Sequence, residues 1–200
     1  MKVKICGLTD KNNTDEVLAT QPDFVGFIFY EGSKRYVDKV PSELCSNSMK
    51  VGVFVNACFE EIYRVVSENE LDMVQLHGDE SPTLCTRLRN AGLSIIKAIP
   101  VRDHIPQELI KAYDVDMLLF DTAGPQKGGN GYAFDWRLLT MQKIEKPFMI
   151  GGGLDFDSIQ KIKALQIDNL VGLDFNSRLE DRPGIKNIEK VKQIIHGIRN

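Results

Sequence analysis

Eight short apolar runs recur along the chain, and their spacing restricts the possible folds more than any other feature. The runs begin about 20 to 30 residues apart, which is the length of one strand plus one helix. They predict strands at 3–6, 24–29, 51–55, 72–76, 94–99, 116–120, 147–151 and 170–175. Repeated strand–helix units favour a parallel sheet whose helices lie outside it.

Segments with helical periodicity occupy most of the intervals. They predict helices at 14–19, 60–66, 82–91, 106–113, 159–165 and 188–198, with starts at Ser81-Pro82 and Asp155. A (β/α)₈ barrel and a doubly wound open sheet both fit this order. The open sheet often carries GxGxxG after its first strand, whereas the first strand here ends in CGLTD. We therefore predict an α/β fold, a single (β/α)₈ TIM barrel over residues 1–200.

Composition narrows the possible partners. The net charge is −3, and acidic and basic residues are interspersed, so neither a nucleic acid nor a membrane surface is expected. The N-terminal stretch lacks the apolar run of a signal peptide. The four cysteines are far apart in sequence, which is typical of thiols in a reducing compartment, and we predict a cytoplasmic protein. Three scattered histidines make a metal site unexpected.

The stretch LLFDTAGPQKGGNGYAFDW, residues 118–136, is the most informative loop. Active sites of such barrels lie where strands end and the following loops begin. Asp121 ends the sixth predicted strand, and four glycines lie between Gly124 and Gly131. We expect this pliable loop to fold over a bound substrate.

Alternation along the strands predicts which side chains point into the barrel. The outward positions are then Val3, Ile5, Val74, Leu76, Leu118, Phe120, Val171 and Leu173. Cys6, His77, Asp121 and Asp174 fall on the inward face at strand ends. We predict that these four side chains meet at the rim of one cavity.

Each of these residues also has an ordinary structural interpretation. A lone cysteine is usually a small buried hydrophobe, and we expect this of Cys45, Cys58 and Cys85. Asp121 and Asp174 could cap the turns that follow them, and His77 could be a hydrogen-bonded structural histidine. Sequence pattern alone leaves these alternatives open.

Cys6 differs from the other cysteines because it shares the inward face with Lys4. A nearby ammonium lowers the pKa of a thiol from about 8.5 toward neutrality. We therefore expect Cys6 to be the fastest thiol to alkylate near neutral pH, with protection by bound substrate.

Two further segments suggest an anion site. Gly152 and Gly153 follow the seventh strand, and Asn176 and Ser177 follow the eighth. Loops at these two positions, with free backbone N–H groups and a helix N-terminus, form the usual phosphate site of a barrel. Arg35 could bind a substrate carboxylate through its planar guanidinium or could be a solvated loop residue.

Together these residues resemble the phosphoribosylanthranilate isomerase family of tryptophan biosynthesis. The match runs in order through KICGLT (4–9), VGFIFYEGSKRYV (25–37), VGVFVN (51–56), VQLHGDE (74–80), FDTAGPQKGGNG (120–131), GGGL (151–154) and GLDFNSRLEDRPGIKN (172–187). The resemblance implies an Amadori rearrangement of N-(5-phosphoribosyl)anthranilate without a cofactor or metal. It also implies association with neighbouring pathway enzymes.

The resemblance assigns roles residue by residue. Asp121 matches the general acid that protonates the ring oxygen, and Cys6 matches the general base that removes the C2′ proton. The positions that match substrate contacts are Arg35, His77 and Asp174. Those that match the phosphate site are Gly152, Gly153, Asn176 and Ser177.

Two positions depart from the common pattern of the family. Arg178 stands where many members have a small residue, and Lys34 stands where proline is common. Two rival functions remain to be tested: the related histidine-pathway isomerase, which carries aspartate in place of Cys6, and a silent phosphosugar-binding barrel.

Overall fold

The strands of the protein follow the predicted pattern closely. The computed structural model describes residues 1–44, 46–123 and 133–200. Its strands are β1 Lys2–Cys6, β2 Phe24–Ile28, β3 Met49–Phe54, β4 Met73–Leu76, β5 Ser94–Val101, β6 Met117–Thr122, β7 Phe148–Ile150, β8 Leu170–Phe175, β9 Glu180–Arg182 and β10 Ile185–Lys186. The eight predicted strands are therefore confirmed.

Strands β1 to β8 form a closed parallel barrel in chain order. The barrel closes between β1 and β8, where Lys4 is in register with Asp174. This pairing brings the carboxyl ends of the first and last strands together, so residues 170 positions apart in sequence share one rim. The (β/α)₈ fold class is confirmed.

The helices of the described residues are six α-helices and two short 3₁₀ helices. The α-helices are α1 Lys11–Ala19, α2 Phe59–Asn69, α3 Pro82–Asn90, α4 Gln107–Ala112, α5 Phe156–Ala164 and α6 Ile188–Arg199; the 3₁₀ helices are Trp136–Leu139 and Ser177–Leu179. Ser81 accepts from Leu84 N, and Asp155 forms a capping box with Ser158, so both predicted helix starts are confirmed.

The alternation of strand and helix is interrupted in the two intervals for which we predicted no helix. The described residues between β2 and β3 form no helix, and those between β6 and β7 form only the 3₁₀ turn Trp136–Leu139. The antiparallel hairpin of β9 and β10, which lies between β8 and α6, was not predicted. These exceptions occur in the long loops at the carboxyl ends of strands, where barrels vary most.

Two apolar layers stabilise the barrel. The inner layer fills the lumen and consists of Phe24, Val51, Met73, Ile96, Ala98, Met117, Leu119 and Met149. The outer layer packs the strands against the helices and includes seven of the eight predicted outward residues. Val171 is the exception: it packs against the inner layer because the pairing of β7 with β8 shifts register between Phe148 and Met149.

Aspartates just before alternate strands fasten the amino-terminal face of the barrel. Asp23 accepts from Val3 N at 2.8 Å, Asp72 accepts from Lys50 N at 2.7 Å, and Asp116 accepts from Ile95 N at 2.8 Å. Each bond satisfies a backbone donor of the preceding strand. These acids stabilise the face opposite the candidate site.

Parts of our predictions fall on residues outside those described. Cys45 and the glycine-rich loop from Gly124 to Gly131 belong to this group, so neither the burial of that thiol nor the closure of that loop is tested. Within the described ranges, no helix is long and apolar enough to span a bilayer.

Candidate active site

A cavity of about 590 Å³ opens at the carboxyl ends of the strands. Its volume suits a small organic substrate. All nine predicted site residues line it: Cys6, Arg35, His77, Asp121, Gly152, Gly153, Asp174, Asn176 and Ser177. The predicted convergence of Cys6, His77, Asp121 and Asp174 on one cavity is confirmed.

Cys6 occupies a space that a neighbouring glycine keeps open. Its side chain is buried, and a Cβ added at Gly26, its partner on β2, would lie 2.6 Å from Cys6 Sγ. A Cβ at Gly7, where φ is +79°, would lie 2.7 Å from both Arg35 Cδ and Asn176 Oδ1. The two glycines therefore let the thiol, the guanidinium and the amide approach one another.

Lys4 contributes to the site in a different way from the one we expected. It is fully buried, and its Nζ donates to both carboxylate oxygens of Asp174 at 3.0 Å. Burial raises the pKa of the Cys6 thiol, and the Asp174 carboxylate raises it further, against the lowering effect of Lys4. The expectation of an acidified Cys6 is wrong because burial of the thiol, together with the Asp174 carboxylate, outweighs the effect of the Lys4 ammonium on its pKa.

This correction reverses the predicted order of thiol reactivity. Cys58 is exposed, contrary to our expectation that it is buried, whereas Cys6 and Cys85 are buried. Burial also raises the pKa of Cys85 to about 11. Since the thiolate is the reactive form, we expect Cys58 to alkylate before both of them at pH 7.5.

Peptide mapping after timed treatment with iodoacetamide measures that order. The alkylation rate of Cys6 should increase as the pH is raised beyond the ordinary range for a thiol, because its pKa is raised. Cys58→Ser should remove the labelling phase of Cys58 and leave the slow phase of Cys6 unchanged. Faster labelling of Cys6 than of Cys58 at pH 7.5 would show that the buried thiol is acidic after all.

Asp121 is held from two sides. Its Oδ2 lies 3.0 Å from His77 Nε2, and its Oδ1 accepts from Thr122 N at 2.8 Å. A Cβ at Gly152, where φ is +83°, would lie 2.5 Å from Asp121 Oδ1. Gly152 therefore makes room for the carboxylate as well as lining the cavity. Asp121 does accept a local backbone bond, as the turn interpretation proposed, but it also faces the cavity beside an imidazole.

The loops after β7 and β8 form one wall of the cavity. Gly152 and Gly153 both have positive φ, at +83° and +69°. The N-terminus of α5, which follows these glycines, is already capped by the carboxylate of Asp155. An anion at this wall would therefore meet the glycine loop and the turn at Asn176 and Ser177 rather than the end of α5.

Arg35 belongs to a network that sequence pattern did not indicate. Its Nε and Nη2 donate to Glu180 Oε1 and Oε2 at 2.7 Å and 2.6 Å. Glu180 Oε1 also accepts from Lys186 Nζ at 2.7 Å, and Lys186 donates to Asn176 Oδ1 at 2.8 Å. Arg35 is therefore not a solvated loop residue, because the β9–β10 hairpin fixes it at the cavity wall.

Comparison with known proteins agrees with this geometry. The sequence profile of N-(5'phosphoribosyl)anthranilate (PRA) isomerase matches residues 3–197. The N-(5'-phosphoribosyl)anthranilate isomerase of Parabacteroides distasonis is 40% identical over 206 residues, which cover 99% of this chain and 93% of that protein. The tryptophan biosynthesis protein TrpCF of Helicobacter pylori is 35% identical over 98% of this chain and 43% of its own length.

A solved structure extends the comparison to the fold. It is a crystal structure of phosphoribosyl anthranilate isomerase in complex with reduced 1-(o-carboxyphenylamino)-1-deoxyribulose 5-phosphate. It aligns with a TM-score of 0.85 and 29% identity over 100% of this chain and 98% of its own. The matched profile spans every strand of the barrel and the whole cavity wall, and this chain belongs to the N-(5'-phosphoribosyl)anthranilate isomerase family.

Proposed function

We propose that this protein converts N-(5-phosphoribosyl)anthranilate to 1-(2-carboxyphenylamino)-1-deoxyribulose 5-phosphate, a step of tryptophan biosynthesis. The observation that carries the proposal is the placement of Cys6 and Asp121 in one cavity of a chain that belongs to this family. A thiol and a carboxyl group supply the base and the acid that an Amadori rearrangement requires.

In the proposed first step, Asp121 donates a proton to the furanose ring oxygen. The bond between C1′ and that oxygen breaks, and the anthranilate nitrogen forms a protonated Schiff base with C1′. Asp121 is suited to this role because His77 and Thr122 N fix both of its oxygens, so the carboxyl group is oriented before the substrate binds.

In the second step, the Cys6 thiolate removes the C2′ proton, and the electron pair neutralises the iminium to give an enolamine. Tautomerisation to the ketone then adds a proton to C1′ and removes one from O2′, which restores both side chains to their starting states. The raised pKa of Cys6 makes its thiolate scarce but strongly basic. Lys4 and Asp174 lie beside the thiol and balance the charge that it gains or loses.

The direct test is to supply substrate labelled with ¹³C at C2′ and to follow it by NMR with purified protein. The C2′ signal should move from the alcohol region to the ketone region, and heat-denatured protein should not accelerate this change. A protein that binds the product analogue but does not accelerate the conversion would be a phosphosugar-binding barrel rather than an isomerase.

We further propose that Gly152, Gly153, Asn176 and Ser177 bind the substrate phosphate. All four lie on the same wall of the cavity. Lys186 donates to Asn176 Oδ1 at 2.8 Å, so a cation lies close behind this wall. Backbone N–H groups of loops after the seventh and eighth strands bind phosphate in barrels of this kind.

Replacing Ser177 with aspartate is expected to raise KM by at least about tenfold, with a smaller change in kcat, because a fixed negative charge would repel the phosphate. Ser177 suits this test better than Gly153, whose positive φ would add backbone strain to any substitution. Asparagine has nearly the same size as aspartate but no charge, so Ser177→Asn should leave KM within about threefold of the wild-type value. Equal KM values for the two variants would place the phosphate elsewhere.

Arg35 is proposed to contact the anthranilate carboxylate, with His77 and Asp174 contacting other parts of the substrate. A guanidinium has five N–H donors, and Glu180 accepts two bonds from it. Donors therefore remain for a second carboxylate, and Glu180 keeps the planar group in one orientation.

Association with a neighbouring pathway enzyme and a cytoplasmic location complete the proposal. The Helicobacter pylori relative is more than twice as long as the segment matched here, which supports the close association of this activity with another protein unit. The described cysteines are free thiols, in keeping with a reducing compartment. Co-purification from native cells and cell fractionation test the two points separately.

A further inference from the structure

Gln75 is a buried side chain that the proposed chemistry does not yet use. It lies on β4, two residues before His77, and its side chain is 1% exposed. Gln75 Nε2 lies 2.8 Å from His77 Nδ1, and His77 Nε2 lies 3.0 Å from Asp121 Oδ2. Gln75 Oε1 is buried, and no described residue donates a hydrogen bond to it. Gln75, His77 and Asp121 thus form a continuous polar chain that ends at the proposed acid.

The direction of this chain follows from counting donors and acceptors. When Gln75 Nε2 faces the ring, His77 Nδ1 must accept, so the ring proton is on Nε2 and donates to Asp121. If the amide group of Gln75 were rotated by 180°, its Oε1 would face a protonated Nδ1 of His77. Neither N–H of the amide would then donate to His77, and the Nε2 would occupy the buried position that has no described partner. An orphaned buried N–H group is rarer than an under-satisfied carbonyl oxygen, so the first arrangement is favoured.

The two arrangements have different consequences for Asp121. With the proton on Nε2, His77 donates to the carboxylate and leaves the proton of the acid form for the substrate. With the proton on Nδ1, the Nε2 lone pair would face Oδ2 at 3.0 Å, and only a protonated Asp121 could bridge that distance. Its proton would then point toward His77 instead of the substrate.

We propose that Gln75 is a positioning residue that keeps His77 as the neutral Nε2–H tautomer, and thereby orients Asp121 for proton transfer. The catalytic part of this inference rests on the proposed function, whereas the tautomer itself does not.

The surroundings of His77 fit this role. Asp121 is in direct contact with the ring, and Asp174, itself paired with Lys4, is within electrostatic range of both groups. The backbone is fixed as well, because His77 N donates to Phe54 O at 2.8 Å. In the next turn, Gly78 N donates to Glu80, and Lys97 Nζ donates to Gly78 O at 2.8 Å. The backbone that carries the imidazole is therefore held in place, and both ring nitrogens have partners.

The protonation state of His77 can be read directly by ¹⁵N NMR of the substrate-free protein at neutral pH. The chain contains three histidines, so the spectrum is simple, and a His77→Gln variant assigns the signals. We expect the Nε2–H tautomer in the wild type. Gln75→Glu, whose carboxylate can only accept, should force a proton onto Nδ1. Gln75→Met, which has a similar length and cannot form this bond, should produce a mixture of tautomers.

Kinetics then separate a positioning role from a merely structural one. Loss of the oriented hydrogen bond in Gln75→Met should lower kcat by about tenfold with a smaller change in KM. A wild-type His77 protonated on Nδ1 would overturn the proposal, even if both variants failed to fold. Unchanged kcat in a folded Gln75→Met variant would also overturn it. Absence of turnover in the wild type would instead refute the proposed function and leave the tautomer result intact.

Discussion

Replacing Asp121 with asparagine is expected to lower kcat by at least about a hundredfold, because a general acid typically contributes about 10² to 10⁴ in rate. Asparagine has nearly the same size and can still accept the bond from Thr122 N, which spans 2.8 Å in the wild type. It cannot donate a proton as a carboxylic acid does. Steady-state kinetics with fresh substrate measure the loss, and the thermal midpoint should change little.

Asp23→Asn is the matched control for this variant. Asp23 also accepts a backbone bond of 2.8 Å, from Val3 N, but it lies at the opposite face of the barrel. Losing part of such a bond costs stability on the order of 1 kcal/mol and has no reason to change the chemistry. If Asp121→Asn and Asp23→Asn had the same kcat, Asp121 would be a turn residue, and Asp174 would be the next candidate for the acid.

Replacing Cys6 with serine is expected to lower kcat by a similar factor, at least about a hundredfold. A serine hydroxyl fits the space that Gly26 leaves open, so the fold should be preserved. The hydroxyl ionises far less readily than a thiol and is a poor base at neutral pH. The same kinetic assay measures this loss, with circular dichroism to verify folding.

Cys58→Ser is the control for the thiol substitution. Cys58 is exposed at the start of α2, and the described cavity lining does not include it. This variant should keep the kcat of the wild type. Retention of full kcat in Cys6→Ser would assign the proton abstraction to another group.

The positions of the proposed base and acid, Cys6 and Asp121, could be predicted from sequence because they depend on local periodicity. A strand exposes alternate residues to each face, so the apolar face of β1 placed Cys6 in the lumen, and that of β6 placed Asp121 there. The same rule was wrong for Val171, because the register of β7 against β8 shifts at that point. Sequence alternation does not reveal such a shift.

The electrostatics could not be predicted because they depend on partners distant in sequence. Lys4 pairs with Asp174, which is 170 positions away, and Arg35 pairs with Glu180, 145 positions away. The pKa of Cys6 is raised instead of lowered, because burial of the thiol and the Asp174 carboxylate together outweigh the effect of Lys4. The hairpin that carries Glu180 has strands of only three and two residues, too short to leave a periodic signal.

The most direct test of the account is the rate at which N-(5-phosphoribosyl)anthranilate is consumed by the wild type and by a folded Cys6→Ser/Asp121→Asn double variant. We expect rapid consumption by the wild type and a rate at least about a hundredfold lower for the double variant. Consumption by the double variant at the wild-type rate would contradict the proposed roles of Cys6 and Asp121. Consumption in the presence of the wild type at only the uncatalysed rate would contradict the proposed activity.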